Sequence, residues 1–229
     1  MIEINGLTKK YLTKTALQDV TLKIENGGIT GLIGENGSGK STLLKVIAGL
    51  VRPTNGEVTV NGKAVSRRIA TDVAYLSELD AYYPFFTVQQ MIDFEASQFP
   101  DFDKERAQAM ISFMKLNPSS KMKTLSKGNR GRVKIILALS RNAPIILMDE
   151  PLSGLDPMVR ESIVESLISF VDVENQTVII TTHEINEMEP LFDRVIAIKN
   201  GRILATADTE TIRDQQNLRL IDWLKQEYR

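Results

Sequence analysis

Short apolar runs alternate along this chain with longer stretches whose apolar positions recur three and four apart, the signatures of strands and of amphipathic helices. Residues 2–4 and 17–24 read as strands, with turn chemistry at Asn5-Gly6 and at Asn26-Gly27-Gly28, which predicts an antiparallel β layer at the start. Residues 28–33 then read as a buried strand, and Leu43, Leu44, Ile47 and Leu50 place one face on a helix over residues 41–50. A turn at 53–56, a strand over 57–60 closed by Asn61-Gly62, and a further strand over 71–76 follow. From Thr87 to about Leu116 the period is helical: Val88, Met91 and Ile92 share one face, Ala107, Met110, Ile111 and Met114 another, with Asp103 placed to cap the second helix.

The second half repeats the alternation. Ser126 can cap a helix carrying Val133, Ile136, Leu137 and Ser140 on one side, and residues 144–148 are a fully apolar run suited to a central parallel strand. Asp156-Pro157 is a helix start leading to Val159, Ile163, Leu167 and Phe170, and residues 177–181 form the next strand. Residues 194–198 and 202–204 make a hairpin over Asn200-Gly201, and 209–229 is polar and helical in pattern. No internal repeat or low-complexity linker interrupts the chain. The expectation is one α/β domain over residues 1–229, a mixed sheet covered by helices. In it, 1–84 and 144–229 supply the core and the N-terminal antiparallel β layer, and 85–143 a helical subdomain.

A chain of 229 residues can bury a substantial core, and its net charge of −1 leaves no general basic footprint for nucleic acid. The absence of cysteine excludes disulfides and thiolate metal sites. No segment approaches the roughly 18 apolar residues of a membrane span, and the first residues lack the basic-then-apolar order of a signal peptide. The expectation is a soluble, intracellular chain whose membrane role, if any, needs a separate partner.

The strongest chemical signal is the run Gly34-Glu35-Asn36-Gly37-Ser38-Gly39-Lys40-Ser41-Thr42, which fits G-x-x-x-x-G-K-[ST] between a strand and a helix. Glycines let backbone N–H groups close on an anion, Lys40 adds a cation, the helix dipole points at the same place, and Ser41 can offer a hydroxyl to Mg²⁺. Asp149-Glu150 end a buried strand, where a carboxylate pair is costly unless compensated. Asp149 is placed to reach Mg²⁺ and Glu150, a step further out, to polarise an attacking water. Residues 79–86 hold four aromatics, Tyr82, Tyr83, Phe85 and Phe86, which serve either as core or as an anchor for a partner.

Taken together these motifs resemble the nucleotide-binding subunit of an ABC transporter, of the single-domain bacterial type, over nearly the whole chain. Residues 34–42 stand at Walker A, 145–149 at Walker B and Glu150 at the family's catalytic glutamate. Residues 153–156 stand at the D-loop, His183 at the switch histidine, and Leu125-Ser126-Lys127-Gly128-Asn129 at the signature, usually L-S-G-G-Q. The resemblance implies a P-loop NTPase core of the ABC ATPase fold that binds ATP and Mg²⁺. Lys40, Glu150 and His183 would be catalytic, Tyr11 would stack on adenine, and Ser126 and Gly128 would meet the γ-phosphate of a second copy closed head to tail. From the residues alone, Tyr11 is equally an edge aromatic and a lone histidine after a strand is more often structural.

Lys127 and Asn129 depart from the signature, and Glu78 stands where the family has a glutamine that couples the site to its partner; as a carboxylate it is a third candidate beside Ser41 and Asp149 for the metal. The implied partners are a second nucleotide-binding domain, identical or paralogous, and a separate transmembrane permease contacted by the aromatic run, with no nucleic acid. The chain would lie on the inner face of the cell membrane and power transport, with export favoured by its short tail. Competing readings are a nucleotide-gated regulatory module with little hydrolysis and a soluble ABC protein of translation or repair, although the latter usually has tandem domains or a coiled-coil insertion.

Overall fold

The computed structural model describes residues 1–79, 82–215 and 218–228. Among the described residues ten strands form two sheets. Strands β1 (Ile2–Tyr11), β2 (Lys14–Ile24), β4 (Asn55–Val60) and β5 (Lys63–Ala64) make an antiparallel layer in the order β2-β1-β4-β5. The remaining strands are β3 (Gly28–Ile33), β6 (Val73–Leu76), β7 (Ile145–Asp149), β8 (Thr177–Thr182), β9 (Arg194–Lys199) and β10 (Arg202–Asp208). They run in the order β10-β9-β3-β8-β7-β6, parallel except for the antiparallel hairpin strand β10.

Helix α1 (Lys40–Ile47) follows β3, and α2 (Val88–Gln98), α3 (Lys104–Phe113) and α4 (Lys127–Leu139) stand between β6 and β7. Helix α5 (Pro157–Phe170) links β7 to β8, the single-turn α6 (Ile185–Met188) precedes β9, and α7 (Leu220–Glu227) comes last. Predicted caps hold: Asp103, Ser126 and Asp156 accept from the backbone N–H of Arg106, Asn129 and Val159 at 2.8, 3.2 and 3.1 Å.

The parallel strands are apolar at successive positions because both faces of their sheet are covered. Ile146, Met148, Val178 and Ile180 face a core built with α2–α5 and α7, while Ile145, Leu147 and Ile179 face a second core shared with α1 and the antiparallel layer. Register does the rest: Ile33 pairs with Thr182 and Asp149 with Thr181, so the carboxyl ends of β3, β7 and β8 finish level. Ligands of open parallel sheets collect outside such strand ends.

Several local expectations change. Asn5-Gly6 is a bulge inside β1, with Gly6 at φ 57° and the pairing register shifting between Ile4 and Leu7; the chain turns instead at Leu12, φ 49°. Helix α1 ends at Ile47, before Gly49, and Leu50 is 60% exposed. Thr71 belongs to a 3₁₀ turn rather than to β6. Helix α4 buries Ile135, Ala138 and Leu139 beside Val133 and Ile136, with Leu137 half-buried. The polar end is helical in two pieces, a π turn at Thr211–Gln215 and α7, which buries Leu220, Trp223 and Leu224. The parts of that reading at Gln216, Asn217 and Arg229, and of the aromatic run at Asp80 and Ala81, fall outside the described residues.

Leu147 is fully buried in the middle of β7. Leu147→Ala is expected to lower the free energy of unfolding by about 2–5 kcal/mol, read from urea denaturation curves of the two chains.

Candidate active site

The glycine loop leaves β3 and enters α1 at Gly39, whose φ of 113° and whose approach to the Ala16 carbonyl oxygen, 2.7 Å from where a Cβ would sit, admit no side chain. Lys40 is buried. Its Nζ donates to the carbonyls of Gly34 at 2.7 Å and Glu35 at 3.3 Å, and lies 3.5 Å from Glu150 Oε1. A buried ammonium held by carbonyls and a single carboxylate is a cation turned toward the loop it serves.

Asp149, 1% exposed, is held by three hydroxyl groups from three elements. Oδ1 accepts from Ser41 Oγ of α1 at 2.8 Å and from Thr181 Oγ1 of β8 at 2.9 Å, and Oδ2 accepts from the Tyr75 hydroxyl of β6 at 3.1 Å. Burial first, and then the Asp149 carboxylate, push the Tyr75 phenol well above its ordinary pKa, so it stays protonated and donates. Thr181 Oγ1 also accepts from the backbone N–H of Glu150 at 2.9 Å.

Glu150 follows with φ 49°, a left-handed conformation uncommon for a residue with a side chain. Its Oε2 lies 2.7 Å from His183 Nδ1, while its buried Oε1 has no hydrogen-bond partner among the described residues and lies 3.5 Å from Lys40 Nζ. The lone histidine is thus brought onto the second carboxylate of the pair, across the level ends of β7 and β8.

Tyr11, Asn36, Gly37, Gly39, Lys40, Ser41, Thr42, Glu78, Glu150 and His183 line one cavity of about 450 Å³. Gly34, Ser38 and Asp149 do not line it: the Gly34 carbonyl accepts from Lys40, Asp149 accepts from Ser41, and Ser38 is buried with its Oγ unpartnered. Tyr11 is 43% exposed, with Lys9 Nζ 4.8 Å from its ring centroid. Glu78 stays on the exposed rim, where its carbonyl accepts from Lys134 Nζ at 2.9 Å.

Ser126 and Gly128 are not on this cavity. The Ser126 hydroxyl caps α4, and the Lys127 ammonium rests against Gly154. Tyr75, Thr181, Lys14 and Ala16 are site residues that motif reading missed, with only the strand pattern at Tyr75 and Thr181 as a signal; Lys14 and Ala16 line the cavity, as does Ser153, the first residue of the stretch read as the D-loop. The aromatic run divides between its two readings. Tyr82 and Phe86 pack on the core, whereas Tyr83 and Phe85 are exposed by 43% and 65%.

A divalent cation and a nucleoside triphosphate suit these residues. Ser41 and Asp149 are hard oxygen donors, and among the described residues no group of three or more His, Cys, Asp or Glu could complete a metal cage. Mg²⁺ ordinarily takes one or two protein oxygens and leaves the rest to phosphate and water.

Comparison with known proteins agrees. The family model described as ABC transporter matches residues 17–153. The chain is 33% identical over 217 residues to the uncharacterized ABC transporter ATP-binding protein MJ1023 of Methanocaldococcus jannaschii, covering 92% of this chain and 79% of that one. It is 30% identical over 220 residues to the probable sulfate/thiosulfate import ATP-binding protein CysA of Chlorella vulgaris, covering 93% of each.

Among solved structures, an ATP-binding subunit of an ABC transporter superposes with a TM-score of 0.85 at 28% identity, over 99% of this chain and 98% of that one. The dimeric post-hydrolysis cassette MJ0796 bound to ADP and Pi does so at 0.81 and 26%, over 91% and 99%. The architecture is therefore that of an ABC ATPase cassette, a mixed sheet with an antiparallel layer and covering helices. The chain belongs to the ABC transporter family, as an ATP-binding subunit. Among the described residues no helix is long and apolar enough to cross a membrane.

Thr181→Val would remove a donor from the buried Asp149 carboxylate and an acceptor from the Glu150 N–H together. A loss of about 1–3 kcal/mol in unfolding free energy is expected, measured by urea denaturation.

Proposed function

We propose that this chain binds Mg-ATP in the cavity over residues 34–42, closes on a second nucleotide-binding domain, hydrolyses the nucleotide, and thereby drives a separate membrane subunit. The observation that supports this most directly is the Glu150–His183 contact at 2.7 Å, set beside a buried Lys40 and a Ser41–Asp149 pair.

In this reading Tyr11 stacks on adenine, and the loop N–H groups of Gly34, Asn36, Gly37, Ser38, Gly39, Ser41 and Thr42 take the phosphates. Lys40 exchanges its carbonyl partners for the β- and γ-phosphate oxygens. Ser41 and Asp149 would hold Mg²⁺, with Glu78 on the rim as a second carboxylate near it. Bound there, the metal supplies charge neutralisation of the phosphate oxygens. Glu150 accepts a proton from the attacking water, and His183 fixes its carboxylate so that the water stands in line with the leaving oxygen.

Ser126 and Gly128 lie off the cavity, which fits their meeting the γ-phosphate of a second copy rather than their own. The dimeric form of the MJ0796 cassette supports that pairing. Tyr83 and Phe85 are the exposed pair offered to a permease, placing the chain at the inner face of the cell membrane with no nucleic acid among its partners. The probable import role of CysA lends no support to the expectation of export, and direction is left to the membrane subunit.

Purified wild-type chain with Mg-ATP is expected to release phosphate, and Glu150→Gln to slow release by about 100-fold or more while still binding ATP and eluting as a dimer in size-exclusion chromatography. Wild-type release rates in Glu150→Gln, or a monomer at saturating Mg-ATP, would sink the proposal. Phe85→Asp is expected to leave ATP binding unchanged and move the chain from the membrane pellet of its own cells to the supernatant; loss of cooperative melting instead would return Phe85 to the core.

A further inference from the structure

Arg160 stands in the first turn of α5 with its side chain only 18% exposed, and it takes no part in the roles assigned above. Its guanidinium reaches two separate loops. Nε donates to the Leu155 carbonyl at 2.8 Å, in the stretch after β7 that also carries Glu150 and Ser153 into the cavity. One terminal nitrogen lies 2.7 Å from Glu184 Oε1, and the other donates to the Glu187 carboxylate at 3.0 and 3.2 Å, both in the stretch after β8. Glu184 Oε1 in turn lies 3.6 Å from His183 Nε2, while His183 Nδ1 faces Glu150 Oε2.

His183 therefore sits between two carboxylates, one on each ring nitrogen. Only the Glu150 side, at 2.7 Å, is within hydrogen-bond distance. Glu184 has a nearer partner than the imidazole: its Oε1 lies 2.7 Å from a terminal nitrogen of Arg160 and 3.6 Å from His183 Nε2. Lys40 faces Glu150 on the cavity side at 3.5 Å and does the opposite work of holding that carboxylate in place.

We propose that Arg160 is a positioning residue for hydrolysis, which by clamping Glu184 and the Leu155 carbonyl keeps His183 on Glu150 and locks the loop after β7 to the loop after β8. The inference rests on the ATPase reading above and assigns it a further residue that touches neither nucleotide nor water. An exposed ion pair is ordinarily worth little. This one differs because each end of the fork lands on a segment that also carries a cavity residue, a geometry that a planar guanidinium can satisfy and an ammonium cannot.

The test is steady-state ATP turnover of the full chain with Mg-ATP. Arg160→Gln is expected to lower kcat about 10-fold with KM for ATP within about 2-fold, since a misplaced catalytic pair costs rate and not nucleotide affinity. Arg160→Lys, which pairs one carboxylate but cannot fork, should recover part of the rate. Adding Glu184→Gln to Arg160→Gln should also recover part, because the rival carboxylate is gone. Turnover of Arg160→Gln within 2-fold of wild type overturns the proposal. So does a loss in which KM rises with falling kcat and neither Arg160→Lys nor the double variant recovers rate.

If Arg160→Gln fails to melt cooperatively, Arg160→Lys decides: reduced kcat at unchanged KM supports the clamp, and wild-type turnover overturns it. A wild-type chain without turnover defeats the ATPase reading itself, an outcome visible before any Arg160 variant is made.

Discussion

A charged carboxylate inside a β-sheet is the constraint that the rest of this molecule satisfies. Asp149 is 1% exposed at the end of a strand whose other residues are all buried and apolar. An unpaired ion there would cost several kcal/mol even after relaxation. The chain offsets this with hydroxyls from Ser41, Tyr75 and Thr181, one each from α1, β6 and β8. Hydrogen bonds to a charged group contribute about 1.5–3 kcal/mol apiece, so the carboxylate ties together the elements that converge on it. The same hydroxyls fix where its lone pairs point, and that direction is what a hard cation would meet.

Beside this satisfied group lies an unsatisfied one. Glu150 adopts φ 49°, leaves Oε1 without a hydrogen bond, and depends on Lys40 and His183 for company. Strained backbone and orphaned polar atoms persist where the surrounding structure over-determines them. Here the determinants are the Thr181 hydroxyl on the Glu150 N–H and the parallel register that sets Asp149 against Thr181. One residue further along the same strand end, rigidity gives way to a side chain with hydrogen-bonding capacity to spare, which would suit the proton acceptor of the proposed reaction.

Local chemistry was legible in the sequence where spacing alone carries it. The strand–loop–helix setting of the glycine run, the caps at Asp103, Ser126 and Asp156, and the fully apolar run of β7 each depend on neighbours within a few residues, and these local features stand as read. Tyr75 and Thr181 were not legible as site residues, since their contact with Asp149 follows from β7 lying between β6 and β8, a pairing across 74 and 32 positions. The Asn5-Gly6 pair misled for a related reason: its turn chemistry is real, but long-range pairing on both sides turns it into a bulge within β1. Leu50 continued the helical spacing on paper, yet α1 stops at Ile47 and Gly49 follows at φ 69°.

The position of the signature residues carries the last step. Ser126 and Gly128 head a 13-residue helix whose N-terminal dipole favours an anion, but neither residue lines the cavity of its own chain. In the proposed function, the cavity with Lys40 on its wall and the helix start at Ser126 are each half of a site. On the proposed reading, two copies arranged head to tail complete both halves with one operation, and the γ-phosphate becomes the group through which each copy senses the other. Arg160 then has a place in that exchange. It binds the backbone at Leu155, one residue beyond Gly154 and its Lys127 contact, and it binds the carboxylate beside His183. On the same reading, a shift of the loop after β7 when copies close would reach the histidine through the Arg160 guanidinium, and hydrolysis would then depend on assembly as well as on nucleotide binding.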